Sequence, residues 1–382
     1  MSRIAYTGAR IFDGETWHER SAVVVADGVV EGIIAADSPT DAERVPMGGG
    51  ILAPGFIDLQ INGAGGAQFN LDPSLEAIET ICATAARFGT SGCLPTFITD
   101  TPEHTKEAIA AGIEAARKDV RGFLGLHLEG PHLSVARKGA HDPALIRPME
   151  ETDLIALVAA RGELPNLVVT VACESVTPNQ ITRLSEAGIV VSIGHSNASY
   201  ADMRSAAEAG ARMVTHLFNA QSQLGNREPG VVGAALDLGA LSAGLIADGV
   251  HVHAASIGVA LRAKRGPGRI FLVTDAMSVM GTDAQSFELT GRTVYRKDGA
   301  LRLADGTLAG ADLTMIDAVT YVHRALGLPL EEALRMASLY AAEALGVPQL
   351  GRITAGQPAN FVHLGDDFSV RGTLIGGEVA YS

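Results

Sequence analysis

Several apolar runs in this 382-residue chain end in side chains that bind metals or carry protons. Glu129 closes GFLGLHLEG, His195 closes IVVSIGHS, and His216 interrupts ARMVTHLFNA. His251 ends LSAGLIADGVH, Asp275 ends RIFLVTDAM, and Gln60 and Asn62 stand at the end of the first such run, GFIDLQI. These groups are costly to bury unpaired, so an apolar segment that turns polar only at its last residues has a reason to do so. A lone histidine there is ordinarily a satisfied core or capping residue. Recurrence at the same end of several strands argues instead for a shared site. Two imidazoles and a carboxylate supply three ligands and leave one position open for water, as in a catalytic Zn²⁺ or Fe²⁺ centre. Such an ion lowers the pKa of its water or polarises a carbonyl. Asp275 is placed to take the water's proton and later hand it to a leaving group. The chemistry implied is metal-assisted hydrolysis of an amide, an ester or a ring imide.

The elements that position these residues follow from the pattern. GFIDLQI, GCLPTFI, GFLGLHLEG, LVVTVACE, IVVSIGHS, ARMVTHLFNA, LSAGLIADGVH and RIFLVTDAM read as continuous apolar strands. Helical segments lie between them. Leu75, Ile78, Cys82 and Ala85 share one helical face, and Thr101-Pro102 and Thr177-Pro178 are cap signals. Unbroken apolar strands alternating with helices predict a parallel sheet covered on its outer face. Eight such units in roughly 300 residues fit a (β/α)₈ barrel, with its chemistry at the carboxyl ends of the strands. The stretch 278–312 breaks the rhythm as a long excursion. The first fifty residues and the last thirty are instead short β-rich runs around Gly-rich turns, with Asp27-Gly28 as a hairpin signal. We expect residues 1–53 and 354–382 to form a small β-sandwich domain, and residues 54–353 the barrel.

Composition narrows the function classes. Lys plus Arg is 29 against 43 Asp plus Glu, a net charge of −14 that argues against nucleic acid and anionic membrane surfaces as partners. No uncharged apolar run approaches the ~18 residues of a membrane span. The first twenty residues lack a signal-peptide core, so the expectation is a cytoplasmic enzyme. Three scattered cysteines (Cys82, Cys93, Cys173) make neither a disulfide framework nor a thiolate zinc site. The glycine clusters at 48–50 and 63–66 lack the Gly-Lys-Ser/Thr of a phosphate-binding P-loop.

Taken together, the polar segments resemble the amidohydrolase superfamily, and within it the N-acetylglucosamine-6-phosphate deacetylases. The resemblance rests on PGFIDLQING (Pro54–Gly63), HLEGPHLS (His127–Ser134), GHSNA (Gly194–Ala198), THLFNA (Thr215–Ala220) and NREPG (Asn226–Gly230). LIADGVHVH (Leu245–His253), LVTDAM (Leu272–Met277) and GTLAGADLTM (Gly306–Met315) complete it, in order along nearly the whole barrel. It implies Glu129, His195 and His216 as metal ligands and Asp275 as the catalytic acid/base. His141 would polarise the acetyl carbonyl, beside Ala140 in the substrate wall. Asn219 and Ala220 would hold the sugar phosphate, and Arg227 would reach the phosphate from the neighbouring subunit of a homodimer. His251 would contact the sugar or its phosphate, and Leu308, Ala309 and Gly310 would line the pocket. The implied substrate is a phosphorylated amino sugar.

Two departures qualify the match. Many amidohydrolases carry His-x-His at the end of the first strand and bind two metals. Here the residues are Gln60 and Asn62, poor ligands, so one divalent ion per subunit is expected, with Zn²⁺ first and Fe²⁺ or another transition metal as alternatives. None of the five lysines (Lys106, Lys118, Lys138, Lys264, Lys297) ends a strand, which disfavours a cyclic-imide or dihydropyrimidine hydrolase with a carbamylated lysine. The second departure, Gln221–Gly225 after Asn-Ala, keeps the galactosamine epimer as a rival substrate. A non-catalytic scaffold on a decayed barrel is the rival from another class. Among the remaining histidines, His127 is expected to pack or support a ligand and His253 to cap a helix, while His132 has no assigned role.

Overall fold

The computed structural model describes residues 3–382. Its centre is one eight-stranded parallel sheet in sequence order. The strands are β1 (Phe56–Ile61), β2 (Thr90–Ile98), β3 (Leu126–Glu129), β4 (Leu167–Val171), β5 (Val190–Ile193), β6 (Met213–Val214), β7 (Ser242–Leu245) and β8 (Ile270–Leu272). Every residue of these strands is buried, as strands must be when helices cover one face and side chains fill the other. The eight runs expected from the sequence are these eight strands.

Closure is made by a short seam between β1 and the segment after β8. Asp275 N–H donates to the Gln60 carbonyl at 2.9 Å, and Asn62 N–H to the Ala276 carbonyl at 2.8 Å. A parallel bridge joins Ile61 and Ala276. Deeper in the same seam, the buried Asp58 carboxyl accepts from the Thr274 hydroxyl at 2.5 Å. Burial pushes the Asp58 carboxyl up to about 7 against the pull of these donors. The sheet is therefore a (β/α)₈ barrel.

The covering helices start where the cap signals stand. Thr101 accepts from His104 N–H and begins Pro102–Arg117; Thr177 accepts from Gln180 N–H and begins Pro178–Glu186. In the helix Leu75–Ala86, Ile78, Cys82 and Ala85 face inward.

Both chain ends build two further sheets. One has four strands in the order Val29–Ala35, Ser21–Ala26, Arg3–Thr7, Glu43–Pro46, with the Asp27-Gly28 turn joining the first two. The other has six, in the order Glu378–Tyr381, Val370–Ile375, Phe361–Leu364, Ile51–Pro54, Arg10–Phe12, Trp17–His18. Tyr6, Ile11, Val23, Val25, Leu52, Phe361 and Leu374 share one buried cluster between them.

The excursion after β8 is a three-stranded antiparallel meander, Ser286–Leu289, Arg292–Lys297 and Ala300–Leu303. Its Leu289, Val294 and Leu301 pack on Ile98, Met277 and Val279 at the carboxyl end of the barrel. The Arg296 guanidinium ties it down by bonding both Asp312 oxygens at 2.6 and 2.8 Å. Among the described residues, no helix is long and apolar enough to cross a membrane.

Candidate metal centre and active site

Glu129 is the last residue of β3, while His195, His216 and Asp275 each follow the end of a strand within two or three residues. These three carry left-handed backbone, with φ of +47°, +26° and +51°. Non-glycine residues adopt that conformation at a cost of order 1–3 kcal/mol, and such strain concentrates at functional sites. Here it falls just beyond the ends of β5, β6 and β8, where the side chains converge over the barrel mouth.

The convergence is tight. Glu129 Oε1 lies 3.1 Å from His195 Nε2 and 3.0 Å from His216 Nε2, and the two Nε2 atoms are 3.1 Å apart. All three residues are buried. His195 Nδ1 lies 2.8 Å from the Arg137 carbonyl, which only accepts, so Nδ1 carries a proton and Nε2 is the nitrogen turned toward the site. That nitrogen faces a carboxylate oxygen and a second imidazole nitrogen, three ligand atoms converging on one point. A tetrahedral ion with bonds of about 2.0–2.1 Å holds neighbouring ligand atoms roughly 3.3 Å apart, close to the observed triangle. The donor set, one carboxylate and two imidazoles, is that of a transition metal, and the residues fit it. A wider group, Glu129, His141 and His195, also keeps ligand atoms within 4.8 Å of one another. In it His141 is less free, because its Nδ1 is engaged by the Thr99 hydroxyl at 2.8 Å.

Asp275 stands beside this triangle, held by amides rather than by a cation. Its Oδ1 accepts from Asn62 Nδ2 at 2.7 Å and from Gln60 Nε2 at 3.2 Å. Gln60 Nε2 also lies 3.1 Å from Glu129 Oε2, so one amide group spans the two carboxylates. Burial and then the Glu129 charge raise the Asp275 carboxyl to about 6. Burial, followed by the neighbouring His195, holds His141 well below the usual imidazole range, so it is neutral at pH 7.

A cavity of about 390 Å³ opens above these groups. Asn62, Ala140, His141, Asn219, Ala220, His251, Leu308, Ala309 and Gly310 line it with the triangle and Asp275. Gly310 has φ +75°, and a Cβ there would meet Met277 Cγ at 2.4 Å, so only glycine lets this strip lie so close to the barrel rim. His251 Nδ1 is bonded to the buried Asp248 carboxylate at 2.6 Å, which fixes the ring. Arg227 is exposed and lies outside this chain's own cavity wall. The guanidinium that does line the wall is Arg302, from the meander; it also donates to the Gly306 carbonyl at 3.1 Å.

The other histidines sort as their surroundings dictate. His127 is buried in the barrel interior, with Nδ1 3.0 Å from the Leu59 carbonyl and Nε2 2.7 Å from the Thr170 hydroxyl. Burial pushes its pKa down to about 4. His253 is the N-cap of the helix Ala254–Ala263 and accepts from Ala255 N–H. His132 faces a separate cavity beneath the helix Glu151–Glu163, with Nδ1 near the Arg147 carbonyl.

Sequence reasoning did not single out Thr99, Asp248 or Arg302. Asp248 had a readable signal, since Asp-x-x-His is the spacing at which an Asx turn brings a carboxylate to a ring three residues on. Thr99 and Arg302 had none.

Comparisons with known proteins agree with this architecture. A sequence profile described as the amidohydrolase family matches residues 51–380. The chain belongs to the amidohydrolase family. Over 377 residues it is 42% identical to an N-acetylgalactosamine-6-phosphate deacetylase of Shewanella sp. (strain ANA-3), covering 98% of this chain and 95% of the relative. It is 36% identical over 362 residues to an N-acetylglucosamine-6-phosphate deacetylase of Haemophilus influenzae, covering 94% of each. The solved N-acetylglucosamine-6-phosphate deacetylase of Pasteurella multocida superposes with a TM-score of 0.95 at 38% identity, over 99% of both chains.

Proposed function

We propose that this family member hydrolyses N-acetyl-D-glucosamine 6-phosphate to D-glucosamine 6-phosphate and acetate, as a step of amino-sugar catabolism. The observation that carries the reading is the 3.0–3.1 Å triangle of Glu129, His195 and His216 beside an amide-held Asp275, in a chain so similar to named deacetylases. Glu129, His195 and His216 would hold one divalent ion per subunit, Zn²⁺ first and Fe²⁺ next. When bound, it supplies Lewis-acid polarisation and a more acidic water.

The residues then divide the work. His141 polarises the acetyl carbonyl oxygen through Nε2, its ring oriented by the contact of Nδ1 with the Thr99 hydroxyl at 2.8 Å. Asp275 accepts one proton as the water oxygen attacks the carbonyl carbon. The C–N bond breaks as Asp275 returns the proton to nitrogen, so the products are acetate and the free amine. Asn219, Ala220 and His251 hold the sugar phosphate. Arg302 supplies a cation from this chain, and Arg227 reaches the site from the neighbouring subunit of a homodimer. Leu308, Ala309 and Gly310 complete the wall with Ala140. A remote phosphate anchor lets binding energy align the amide at the reacting groups. We further propose that the protein works in the cytoplasm, and that its units divide at 53/54 and 353/354.

The galactosamine epimer is the second reading, favoured by the 42% identical relative of that name. Acetate release measured on both phosphorylated epimers decides between them. We expect the larger kcat/KM for the glucosamine epimer; a larger value for the galactosamine epimer overturns the substrate assignment and leaves the hydrolytic reading standing.

A further inference from the structure

A side-chain oxygen at the cavity has no partner. Asn62 is 2% exposed, yet its side-chain oxygen Oδ1 accepts no hydrogen bond. The other end of the same amide is committed. Nδ2 donates to Asp275 Oδ1 at 2.7 Å, and that oxygen also takes Gln60 Nε2 at 3.2 Å, so it acts as an acceptor toward both amides. Flipping Asn62 would set oxygen against oxygen, so the orientation is determined. The backbone of Asn62 is fixed as well, by its N–H to the Ala276 carbonyl in the barrel seam and by its carbonyl, which accepts from Phe69 N–H. With the backbone fixed, the side chain could turn away to find a donor only by giving up its bond to Asp275. A buried amide oxygen left unpaired costs about 1–3 kcal/mol, and this one belongs to a residue that lines the cavity.

We infer that Asn62 Oδ1 accepts the N–H of the scissile acetamido group, which makes Asn62 a substrate-positioning residue of the reaction. The assignment rests on the amide-hydrolase reading above and adds to it a group that recognises nitrogen. The geometry gives the contact a purpose. A single side chain grips Asp275 with its nitrogen and the substrate N–H with its oxygen, so proton donor and proton acceptor are tied to one rigid amide. With the N–H directed at Asn62, the nitrogen lone pair that appears on carbonyl addition is turned toward Asp275. The proton taken from water then passes to that lone pair, the C–N bond breaks, and the amine leaves. An oxygen ester has no hydrogen to offer; its leaving oxygen would face Asn62 Oδ1 lone pair to lone pair.

The test compares the acetamido sugar phosphate with its 2-O-acetyl ester analogue on wild-type protein and on Asn62→Ala. Loss of the contact predicts a fall in kcat/KM of about tenfold to a hundredfold for the amide beyond any fall for the ester. The amide-to-ester ratio is read within one preparation, so partial misfolding does not move it. Asn62→Leu, which fills the vacated volume, gives the same reading where the alanine variant fails to fold. Gln60→Ala loosens Asp275 without touching the proposed acceptor and should lower both substrates together. Equal losses on amide and ester in the Asn62 variants overturn the assignment while the hydrolase reading stands. Wild-type protein inert toward both compounds overturns both.

Discussion

The barrel interior and the barrel mouth handle buried polarity in opposite ways. Inside, His127 spends both ring nitrogens, on the Leu59 carbonyl and the Thr170 hydroxyl, and Asp58 is paired across the seam with Thr274. At the mouth, His195 Nε2 points at another imidazole nitrogen and a carboxylate oxygen, His216 Nδ1 has no partner, and neither has Asn62 Oδ1. The residue types are alike and both groups are buried. What differs is satisfaction. Interior polar groups complete one another and serve the fold, whereas the mouth keeps some atoms, Asn62 Oδ1 among them, without a partner in the chain.

The contrast can be broken most severely at the ion. Removing metal with a chelator should abolish acetate release, and adding back one equivalent of Zn²⁺ per subunit should restore it. Elemental analysis finding no metal in active protein would refute the proposed centre; finding neither metal nor activity would favour the non-catalytic scaffold.

Asp275→Asn comes next. We expect metal content to be retained while kcat falls by about 10²–10⁴, the usual worth of a general acid–base. Because the carboxylate form must accept the proton, kcat/KM of the wild type should drop as pH falls through the Asp275 pKa. Burial and the Glu129 charge set that value at about 6. A cation nearby pulls it lower, so the acidic limb should sit at or below pH 6. A limb well above pH 6 that persists in the Asn variant would assign the titration elsewhere.

The smallest effect belongs to the interior. Thr170→Val leaves His127 Nε2 without its donor and should cost about 1–3 kcal/mol of stability, read by denaturant unfolding. Metal content should not change. A loss of metal in this variant would mean that the two regions are less separate than their hydrogen bonds indicate.

Much of this arrangement was legible in the amino-acid order because its causes are local. Strands buried on both faces are mostly apolar, so β1 to β8 announce themselves, and Glu129, His195, His216 and Asp275 stand out where the apolar runs end. Thr101-Pro102 and Thr177-Pro178 mark helix starts by chemistry confined to a few residues. The seam was not legible. Nothing in GFIDLQING says that Gln60 and Asn62 will meet Asp275, since that contact exists only once the barrel has closed. Read as a sequence, the two amides are merely metal ligands that are missing; in the fold they are donors that steady two carboxylates. Thr99 and Arg302 stayed hidden for the same reason. Each acquires its neighbours through a connection that no local pattern encodes.

The six-stranded sheet sets an order of events. Its strand Ile51–Pro54 pairs directly with Phe361–Leu364, roughly 300 residues later, a separation that makes the pairing slow and entropically dear. During synthesis on the ribosome, Ile51–Pro54 waits with one edge unmatched until nearly the whole barrel has emerged. A premature stop anywhere in the barrel thus strands an apolar edge as well as an incomplete sheet, and quality-control proteases have an early mark by which to find it.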